Sequence, residues 1–405
     1  MTSQPSWPLS WTEACTYAHA SLLLQPSSIP ELSYVGRHFI GYSRWTLLAV
    51  QKAAMGRREK NISQSIVTAI QDDHPQPKST LRRILRSIRT FFYIYSLVVA
   101  KYRPELFQNL RDIVWGIIDA EYVSSFDTSD ALKPMGDMGY SGSTFFNTKD
   151  DRYIVKSIPR AFEHSFFRDD LLGPYVAHME SNPESLLVRI TDFLGWCYWS
   201  VGGIVGFAPT YHLVMENILH GQPENSDWEA FDLKPNSYFF PERDIAGGRL
   251  ASEATKSKLA DKFDDKMPLS REDADTFLSQ LEKDTGLLER YNAVDYSLML
   301  VRIPKTSQPT PGDNPFEDSH TWRTGIPSQD GKYIFRATVL DFFWAKHKAH
   351  AKVMTLLIKA WNLIDRQGHM SITTSPDEYR RRFMNMCRGF VEIQDDRSGE
   401  AGSPI

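Results

Sequence analysis

Two lysines and three aspartates stand in short motifs whose residue types suit phosphoryl transfer. In chain order these residues are Lys156, Asp232, Lys234, Asp295 and Asp341. Transfer of a phosphoryl group needs a phosphate cradle, a lysine, a nucleotide hinge, a catalytic carboxylate and a metal-binding carboxylate. The order of the motifs along the chain matches that requirement, although each motif alone is weak.

The first two motifs suit the phosphate side of such a site. Gly139-Tyr140-Ser141-Gly142-Ser143 precedes a strand-like segment, and its glycines would let backbone amides approach phosphates closely. The alternative is a tight hairpin, which would show the same glycine pattern. Lys156 ends the strand-like Tyr153-Ile154-Val155, where a buried ammonium group needs an acidic partner or a ligand phosphate. We predict Glu163, in the following helix, as its partner, and a lysine that reaches solvent from an edge strand is the alternative.

Two aspartates next to apolar segments suit the catalytic and metal roles. Asp295 lies in Val294-Asp295-Tyr296-Ser297-Leu298, and an attacking hydroxyl needs such an acceptor. A structural cap of a helix or loop is the alternative for this residue. Asp341 follows the strand-like Arg336–Leu340 segment. A carboxylate suits Mg²⁺ there, and no cluster of His and Cys in the sequence favours zinc.

This ordered set resembles the catalytic core of phosphatidylinositol phosphate kinases, from about Tyr102 to Glu392. The resemblance implies that Lys156 holds the ATP phosphates, that Asp341 holds magnesium, and that Asp232 and Lys234 position the substrate. It also implies a nucleotide cradle and adenine hinge made by Gly139, Gly142, Ser143, Met215, Glu216 and Asn217. Pro235-Asn236 stands where the family has Gly-Ser after the lysine, and a proline there removes an amide donor.

Within that family the chain looks most similar to the type III branch, the phosphatidylinositol 3-phosphate 5-kinases. Two segments carry this closer resemblance: Asp150-Asp151-Arg152-Tyr153-Ile154-Val155-Lys156 and Ser375-Pro376-Asp377-Glu378-Tyr379-Arg380-Arg381-Arg382-Phe383. The resemblance therefore implies the 5-hydroxyl of phosphatidylinositol 3-phosphate as the acceptor. The 4-phosphate is the other acceptor lipid that the family offers.

Residues 331–390 are basic, with 11 Lys and Arg against 4 Asp and Glu. Part of this stretch corresponds to the family's specificity loop, which meets the membrane and selects the lipid. The side chains predicted to contact the substrate or the membrane are Lys346, Lys348, Lys352, Arg380, Arg381 and Arg382. Each basic residue near an anionic lipid surface contributes about 1 kcal/mol to binding. A solvated basic face is the alternative.

The composition of the 405 residues is that of a globular protein, with 41% hydrophobic and 24% charged residues. We predict an α+β fold, a two-lobed kinase-like core of antiparallel sheets with flanking helices. Its predicted divisions are a helical extension (1–79), an N-terminal lobe (80–217), a C-terminal lobe (218–394) and a disordered tail (395–405). Two polar stretches, 244–261 and 305–332, are predicted insertions, and Phe91–Tyr95 is predicted to be a buried strand.

The sequence thus predicts a lipid kinase that uses ATP and Mg²⁺ and phosphorylates a membrane phosphoinositide. Its 3 cysteines form no C-x-x-C pair, which favours a reducing compartment. We expect peripheral attachment to the cytosolic face of a membrane, no transmembrane segment, no leader peptide and no nucleic-acid partner. A kinase-like scaffold that binds phosphoinositides without transfer is one alternative. A soluble inositol phosphate kinase is another, but it would not need the basic 331–390 face.

Overall fold

The computed structural model describes residues 56, 58–71, 80–92, 97–127, 131–135, 143–198, 200–205, 208–235, 262–307, 321–345 and 374–394. Its helices are α1 (58–71), α2 (Thr80–Phe91), α3 (Pro104–Asn109), α4 (Asp119–Ser124), α5 (Ala161–Phe166), α6 (Leu172–Ser181), α7 (Val201–Val205), α8 (Arg271–Arg290) and α9 (Pro376–Phe390). Short π-helical turns at Leu110–Val114 and Phe167–Leu171 extend α3 and join α5 to α6, and Lys305–Ser307 forms a 3₁₀ turn.

The strands form two main antiparallel sheets and two short pairs. The first sheet contains β1 (Val99–Lys101), β2 (Leu132–Pro134), β3 (Phe145–Thr148), β4 (Tyr153–Ser157), β5 (Ile190–Trp196) and β6 (Tyr211–Glu216). The second contains β7 (Glu229–Leu233), β10 (Ser297–Pro304), β11 (Ile326–Pro327) and β12 (Tyr333–Leu340). The two pairs are β9 (Ala293–Val294) with β13 (Trp344–Ala345), and β8 (Met267–Leu269) with β14 (Val391–Ile393). The predicted α+β class with antiparallel sheets is confirmed.

The six-stranded sheet has the order β1-β5-β6-β4-β3-β2 and places Lys156 near its middle. On β4, Lys156 pairs with Phe145 of β3 on one side and Leu213 of β6 on the other. Alternate residues of a strand point to opposite faces. Accordingly Tyr153 and Val155 are buried on one face, while Lys156 projects from the other.

The four-stranded sheet has the order β11-β12-β10-β7 and carries the acidic residues at one end. Ser297, the first residue of β10, pairs with Leu340, the last residue of β12. Asp295 and Asp341 therefore lie just beyond the same end of this ladder. Leu187 forms a parallel bridge with Val339, which joins the chain that precedes β5 to β12.

A buried carboxylate on α8 fixes that junction. Asp284 is fully buried and accepts hydrogen bonds from the backbone amide of Leu186 (2.6 Å), the Ser185 hydroxyl (2.8 Å) and the Gln280 amide (3.1 Å). It also lies 2.6 Å from Nε2 of His178. The Leu186 carbonyl in turn accepts from the amide of Val339, two residues before Asp341. Asp284 thus positions the end of β12.

We expect Asp284→Ala to lower the free energy of unfolding by about 3 kcal/mol or more, because it leaves several buried donors without an acceptor. Urea unfolding followed by circular dichroism measures this change. Glu272→Ala, in the first turn of the same helix but exposed, is the matched control and should change stability by less than about 0.5 kcal/mol. Equal effects of the two substitutions would contradict the role of Asp284.

Two buried histidines predict a loss of stability in mild acid. Burial lowers the pKa of His212, on β6, to about 4. Burial, and then the charge of Arg168, lower the pKa of His164 to about 3. In the unfolded chain both histidines would have a pKa near 6.5. Between that pH and about 4, the unfolded state therefore binds more protons than the folded state. Lowering the pH through this window favours the unfolded state. We expect each histidine to lower the free energy of unfolding by about 1.4 kcal/mol for every pH unit of acidification in this window.

The measurement is urea unfolding at pH 7.0, 6.0 and 5.0 for the wild type and His212→Asn. The variant should show a shallower dependence of stability on pH, whatever its stability at pH 7. A wild-type unfolding free energy that stays constant over this range would contradict the assignment.

The structure differs from three sequence predictions in physically informative ways. Phe91 ends α2 and Phe92 follows it with 71% exposure, so these residues are not in a buried strand; β1 begins only at Val99. Residues 321–332 are not part of a loose insertion, because Trp322 is buried in the core. Helix 58–71 lies inside the segment predicted as a helical extension (1–79), but its Ile62, Ile66 and Ile70, which have helical spacing, are buried in the main core rather than in a separate extension.

The other predicted segments lie outside the described residues: 1–55, 72–79, 244–261 and 395–405. Among the helices that the structure describes, none is both long enough and apolar enough to span a bilayer.

Candidate phosphoryl-transfer site

An ion pair between the two main sheets defines the centre of the site. The ammonium of Lys156, from the six-stranded sheet, contacts Oδ1 of Asp341, which directly follows β12 of the four-stranded sheet. The rings of Phe145 and Phe343 lie on either side, with centroids 5.4 and 6.0 Å from the Lys156 Nζ atom. The predicted convergence of Lys156 and Asp341 is therefore present in the structure.

Asp295 and Asp341 occupy a break shared by two strands. The ladder of β10 and β12 ends at Ser297 and Leu340 and resumes as the β9–β13 pair, where Val294 faces Trp344. Within the break Asp295 has φ 68° and Asp341 has φ 62°, in the left-handed region. Backbone in this region is uncommon for residues with a side chain, is tolerated best by Asp and Asn, and clusters at functional sites.

The charges around Asp341 favour its ionised form. Desolvation acts to raise the pKa of this carboxyl, but the nearby ammonium groups of Lys156 and Lys234 outweigh it, and the net pKa is lowered. The side chain keeps 42% exposure, so it remains accessible to a ligand. Asp341 is therefore an anionic, reachable group at neutral pH.

Lys234 links the second aspartate to the same site. Its ammonium lies 3.2 Å from Oδ2 of Asp295, and both side chains are mostly shielded, with 14% and 13% exposure. Asp232 lies two residues earlier and on the same face of the sheet, exposed and opposite Met299 of β10. Lys234 keeps this contact although Pro235 follows it. Four of the predicted residues, Lys156, Lys234, Asp295 and Asp341, thus lie together, with Asp232 beside them.

Helix α9 packs against Tyr296, the residue that follows Asp295. The Tyr379 hydroxyl donates a 2.5 Å hydrogen bond to the backbone carbonyl of Tyr296, the neighbour of Asp295. The Tyr296 ring packs edge-on against Tyr379 and Phe383, with centroids 4.7 and 4.9 Å apart. Part of the Ser375–Phe383 motif therefore holds the segment that contains Asp295 in place.

Arg380 has a different place from the one predicted. Its guanidinium pairs with Glu282 (2.6 Å) and Glu289 (3.0 Å) of α8 and donates to the Thr285 hydroxyl (3.1 Å). These contacts fasten α9 to α8, so Arg380 does not face a membrane or substrate in the structure. Arg381 and Arg382 pair with Glu378 of their own helix, and Arg381 is 69% exposed.

The predicted pair of Lys156 with Glu163 is wrong. Glu163 instead pairs with Arg160, three residues earlier at the start of α5, at 3.0 Å. Desolvation raises the pKa of Glu163, although Arg160 and Lys156 both act against that rise. Helix α5 still contributes to the site, because Phe162 packs on Trp344 of β13 with ring centroids 4.6 Å apart.

The predicted hinge residues divide between the two faces of the six-stranded sheet. Met215 pairs with Ile154 in the ladder and shares the face of Lys156, where it can pack against a nucleotide base. Glu216 pairs with Tyr153 on the opposite face, and Arg323 holds its carboxylate there. The Asn217 side chain donates to the Asp151 carbonyl at 2.8 Å. The backbone amides of Glu216 and Asn217 donate to the carbonyls of Arg189 and Arg152.

Several predicted residues fall outside the part of the chain that the structure describes: Gly139, Gly142, Lys346, Lys348 and Lys352. Ser143 is described and is buried two residues before β3. The amide of the next residue, Thr144, donates to the Ser157 hydroxyl at 2.6 Å.

The acidic groups of the site suit magnesium. Mg²⁺ is usually held by one or two carboxylates together with phosphate oxygens and water. Asp341 offers an ionised and partly exposed carboxylate for this role, and Asp295 lies on the same break. In the described residues no group of three or more His, Cys, Asp and Glu forms a self-contained metal site.

Comparison with known proteins agrees with this chemistry. Residues 126–320 match the family model described as phosphatidylinositol-4-phosphate 5-kinase. This region includes Lys156, Asp232, Lys234 and Asp295, whereas Asp341 and α9 lie beyond it. The match supports a phosphatidylinositol phosphate kinase catalytic core.

Three curated relatives point to the same class. Phosphatidylinositol 4-phosphate 5-kinase 3 of Arabidopsis thaliana is 29% identical over 200 residues, which are 49% of this chain and 26% of the relative. The human type-1 beta enzyme is 28% identical over 209 residues, 49% of this chain and 34% of the relative. The Plasmodium falciparum phosphatidylinositol 4-phosphate 5-kinase is 24% identical over 280 residues, 64% of this chain and 15% of the relative.

The aligned part thus spans about a third or less of each relative. Together with the family match, these relatives support a lipid kinase.

Proposed function

We propose that this protein transfers the γ-phosphoryl group of ATP to a ring hydroxyl of a membrane phosphatidylinositol monophosphate. The observation that carries the proposal is the meeting of Lys156 and Asp341 from two different sheets, beside the Lys234–Asp295 pair. A lysine and two aspartates around one cleft are the groups that phosphoryl transfer requires.

Each residue has a role that follows from its position. Lys156 would leave Asp341 to contact the ATP phosphates, and Met215 would lie under the base. The inositol hydroxyl attacks the γ-phosphorus while the bond to the ADP oxygen breaks, and Asp295 accepts the hydroxyl proton. Lys234 holds Asp295 in place and adds positive charge near the transferred group. Catalysis would thus come mainly from positioning and charge neutralisation.

Magnesium fits this arrangement. When bound with the nucleotide, it neutralises phosphate charge, and Asp341 is the residue that would hold it. The lowered pKa of Asp341 would keep that ligand ionised in mild acid.

The 4-phosphate lipid is our first choice of acceptor. The relatives carry names that specify phosphatidylinositol 4-phosphate. Resemblance to the 3-phosphate branch rests partly on the Ser375–Phe383 motif, but three of its residues, Tyr379, Arg380 and Phe383, serve the packing of α9. A motif that supports the fold says little about the lipid. Phosphatidylinositol 3-phosphate remains the second candidate because of the Asp150–Lys156 segment.

The decisive experiment measures ³²P transfer from labelled ATP to vesicles that carry phosphatidylinositol 3-, 4- or 5-phosphate, one at a time. We expect labelled bisphosphate product with the 4-phosphate lipid. Labelled product with the 3-phosphate lipid alone would reverse our choice of substrate. Transfer only to soluble inositol phosphates would favour the soluble kinase, and vesicle binding without transfer to any acceptor would favour the scaffold.

Helix α2 suggests how the protein meets the membrane. Its Ile84, Leu85 and Ile88 are 52–59% exposed, and Phe92 just after it is 71% exposed. Arg89 lies on the same short helix. Apolar side chains beside basic ones are typical of helices that lie in the membrane interface. We propose that α2, with the basic residues Lys346, Lys348 and Lys352, attaches the protein peripherally to the cytosolic face of a membrane.

We expect the double substitution Ile88→Ser and Phe92→Ser to weaken binding to anionic vesicles by about tenfold or more, because two large apolar groups no longer enter the lipid. Vesicle co-sedimentation measures the change. Ile113→Ser is the matched control, since Ile113 is 76% exposed but lies on the turn after α3. Equal binding by the double variant and the wild type would contradict this role of α2.

A further inference from the structure

A cavity lined by four arginines lies on the other face of the six-stranded sheet. Its volume is about 180 Å³, and its arginines are Arg152, Arg189, Arg323 and Arg336. Tyr153 and Glu216, which project from the face opposite Lys156, also line it. Two predicted hinge residues, Glu216 and Asn217, line the cavity, but Lys156, Lys234, Asp295 and Asp341 do not, so the groups proposed for phosphoryl transfer do not account for it.

The carboxylates that line this cavity are fewer than its arginines. Glu216 pairs with Arg323, and Glu184 is exposed at the cavity wall. Arg152 reaches the Glu121 carboxylate only at 3.5 Å, outside the cavity lining. The lining thus carries four guanidinium groups and two carboxylates. A net positive cavity of this kind attracts anions.

Arg336 lies at the floor of the cavity with only 5% exposure. Its guanidinium donates to backbone carbonyls of Ile218 (3.2 Å), His220 (2.8 Å) and Thr324 (3.1 Å). Desolvation lowers its pKa to about 10. A buried cation whose hydrogen bonds end on neutral carbonyls is costly, and a bound anion would reduce that cost.

Arg189 contributes a buried hydrogen-bond donor to the cavity. Its Nε atom is buried and has no hydrogen-bond acceptor among the described residues. The guanidinium lies 5.6 Å from the Trp115 ring centroid. Desolvation, followed by repulsion from Arg323, lowers its pKa to about 10. The Nδ1 atom of His220, at the same cavity, is likewise buried and unpaired within the described chain.

We propose that this cavity, the arginine pocket (Arg152, Arg189, Arg323 and Arg336), binds a small soluble anion that carries phosphate. Guanidinium groups bind phosphate oxygens through paired, charge-assisted hydrogen bonds. A free molecule fits better than a lipid headgroup in a bilayer, because Arg323 and Arg336 are only 10% and 5% exposed. The ligand would stabilise the end of β6, at Glu216, from the face of the sheet opposite the nucleotide.

Isothermal titration calorimetry of the full chain with pyrophosphate tests the proposal. The wild type should bind, and Arg189→Gln should bind about tenfold more weakly or worse, because one charged donor pair is lost. Lys133→Gln, at an exposed position on β2, should bind like the wild type. Glu184→Gln should bind several-fold more tightly, because it removes a negative charge from the wall.

Glu184→Gln keeps the test informative even if Arg189→Gln folds poorly, since Glu184 is exposed. Absence of binding by the wild type at millimolar pyrophosphate would overturn the proposal. So would loss of binding in Lys156→Gln with retention in Arg189→Gln, because pyrophosphate would then occupy the nucleotide cleft. A parallel titration with vesicles containing phosphatidylinositol 4-phosphate should leave pyrophosphate binding unchanged, and competition would assign the pocket to the lipid headgroup instead.

Discussion

Asp341→Asn should lower kcat/KM for lipid phosphorylation by about 10³-fold or more, the largest effect we expect from any single substitution. The change removes the carboxylate that would hold the metal, and with the metal the neutralisation of phosphate charge, a loss of about 4 kcal/mol in transition-state stabilisation. Asparagine also tolerates the left-handed backbone at this position, so the fold should be preserved. The measurement is initial ³²P transfer to phosphatidylinositol 4-phosphate vesicles.

The matched control for this substitution is Asp265→Asn. Asp265 also pairs with a basic residue, Arg302, but it is 62% exposed and lies apart from Lys156 and Asp295. Its substitution should leave the rate within about twofold. Transfer by Asp341→Asn within tenfold of the wild type, with normal thermal unfolding, would reject the metal-binding role.

Asp295→Asn should lower kcat by about 10²- to 10⁴-fold, the range expected for loss of a general base. The amide cannot accept the proton of the inositol hydroxyl, and Lys234 loses the partner that lies 3.2 Å away. The KM for ATP should change little, because Lys156 and Asp341 remain. Single-turnover phosphorylation at saturating ATP separates this chemical step from binding.

The substitution Lys234→Met helps to test whether Asp295 accepts the hydroxyl proton or has only a structural role. If Lys234 orients Asp295, its loss should reduce kcat less than Asp295→Asn does, and the double variant should be no slower than Asp295→Asn alone. A rate for Asp295→Asn close to that of the wild type would leave Asp295 with only a structural role.

The groups at the centre of the site could be predicted because the residues next to each one in the sequence indicate its environment in the fold. A lysine at the end of an apolar strand and an aspartate after one must each meet a charge or a ligand, and the resemblance to phosphatidylinositol phosphate kinases implied that Lys156 and Asp341 serve the same nucleotide. Their direct contact follows from the packing of two sheets, which no local pattern contains. The prediction for Glu163 was wrong because Arg160, only three residues earlier, pairs with it instead of Lys156.

The arginine pocket could not be predicted for a different reason. Arg323 follows a polar stretch that has the composition of a loose loop, yet it reaches Glu216, 107 residues earlier in the chain. Arg189 and Arg336 come from separate elements and share no spacing with it. Arg380 shows the opposite error, because an arginine run suggested a lipid surface while the partners of Arg380 were glutamates of α8. Long-range partners decide the role of a charged side chain.

The left-handed turns at Asp295 and Asp341 also constrain how the protein can evolve. Alanine at either position would incur a backbone penalty of roughly 1 kcal/mol or more, whereas asparagine and glycine would not. A duplicated copy that lost catalysis but kept its shape should therefore drift to Asn or Gly at these two sites. Alanine there would instead mark a copy in which the turn itself had been rebuilt.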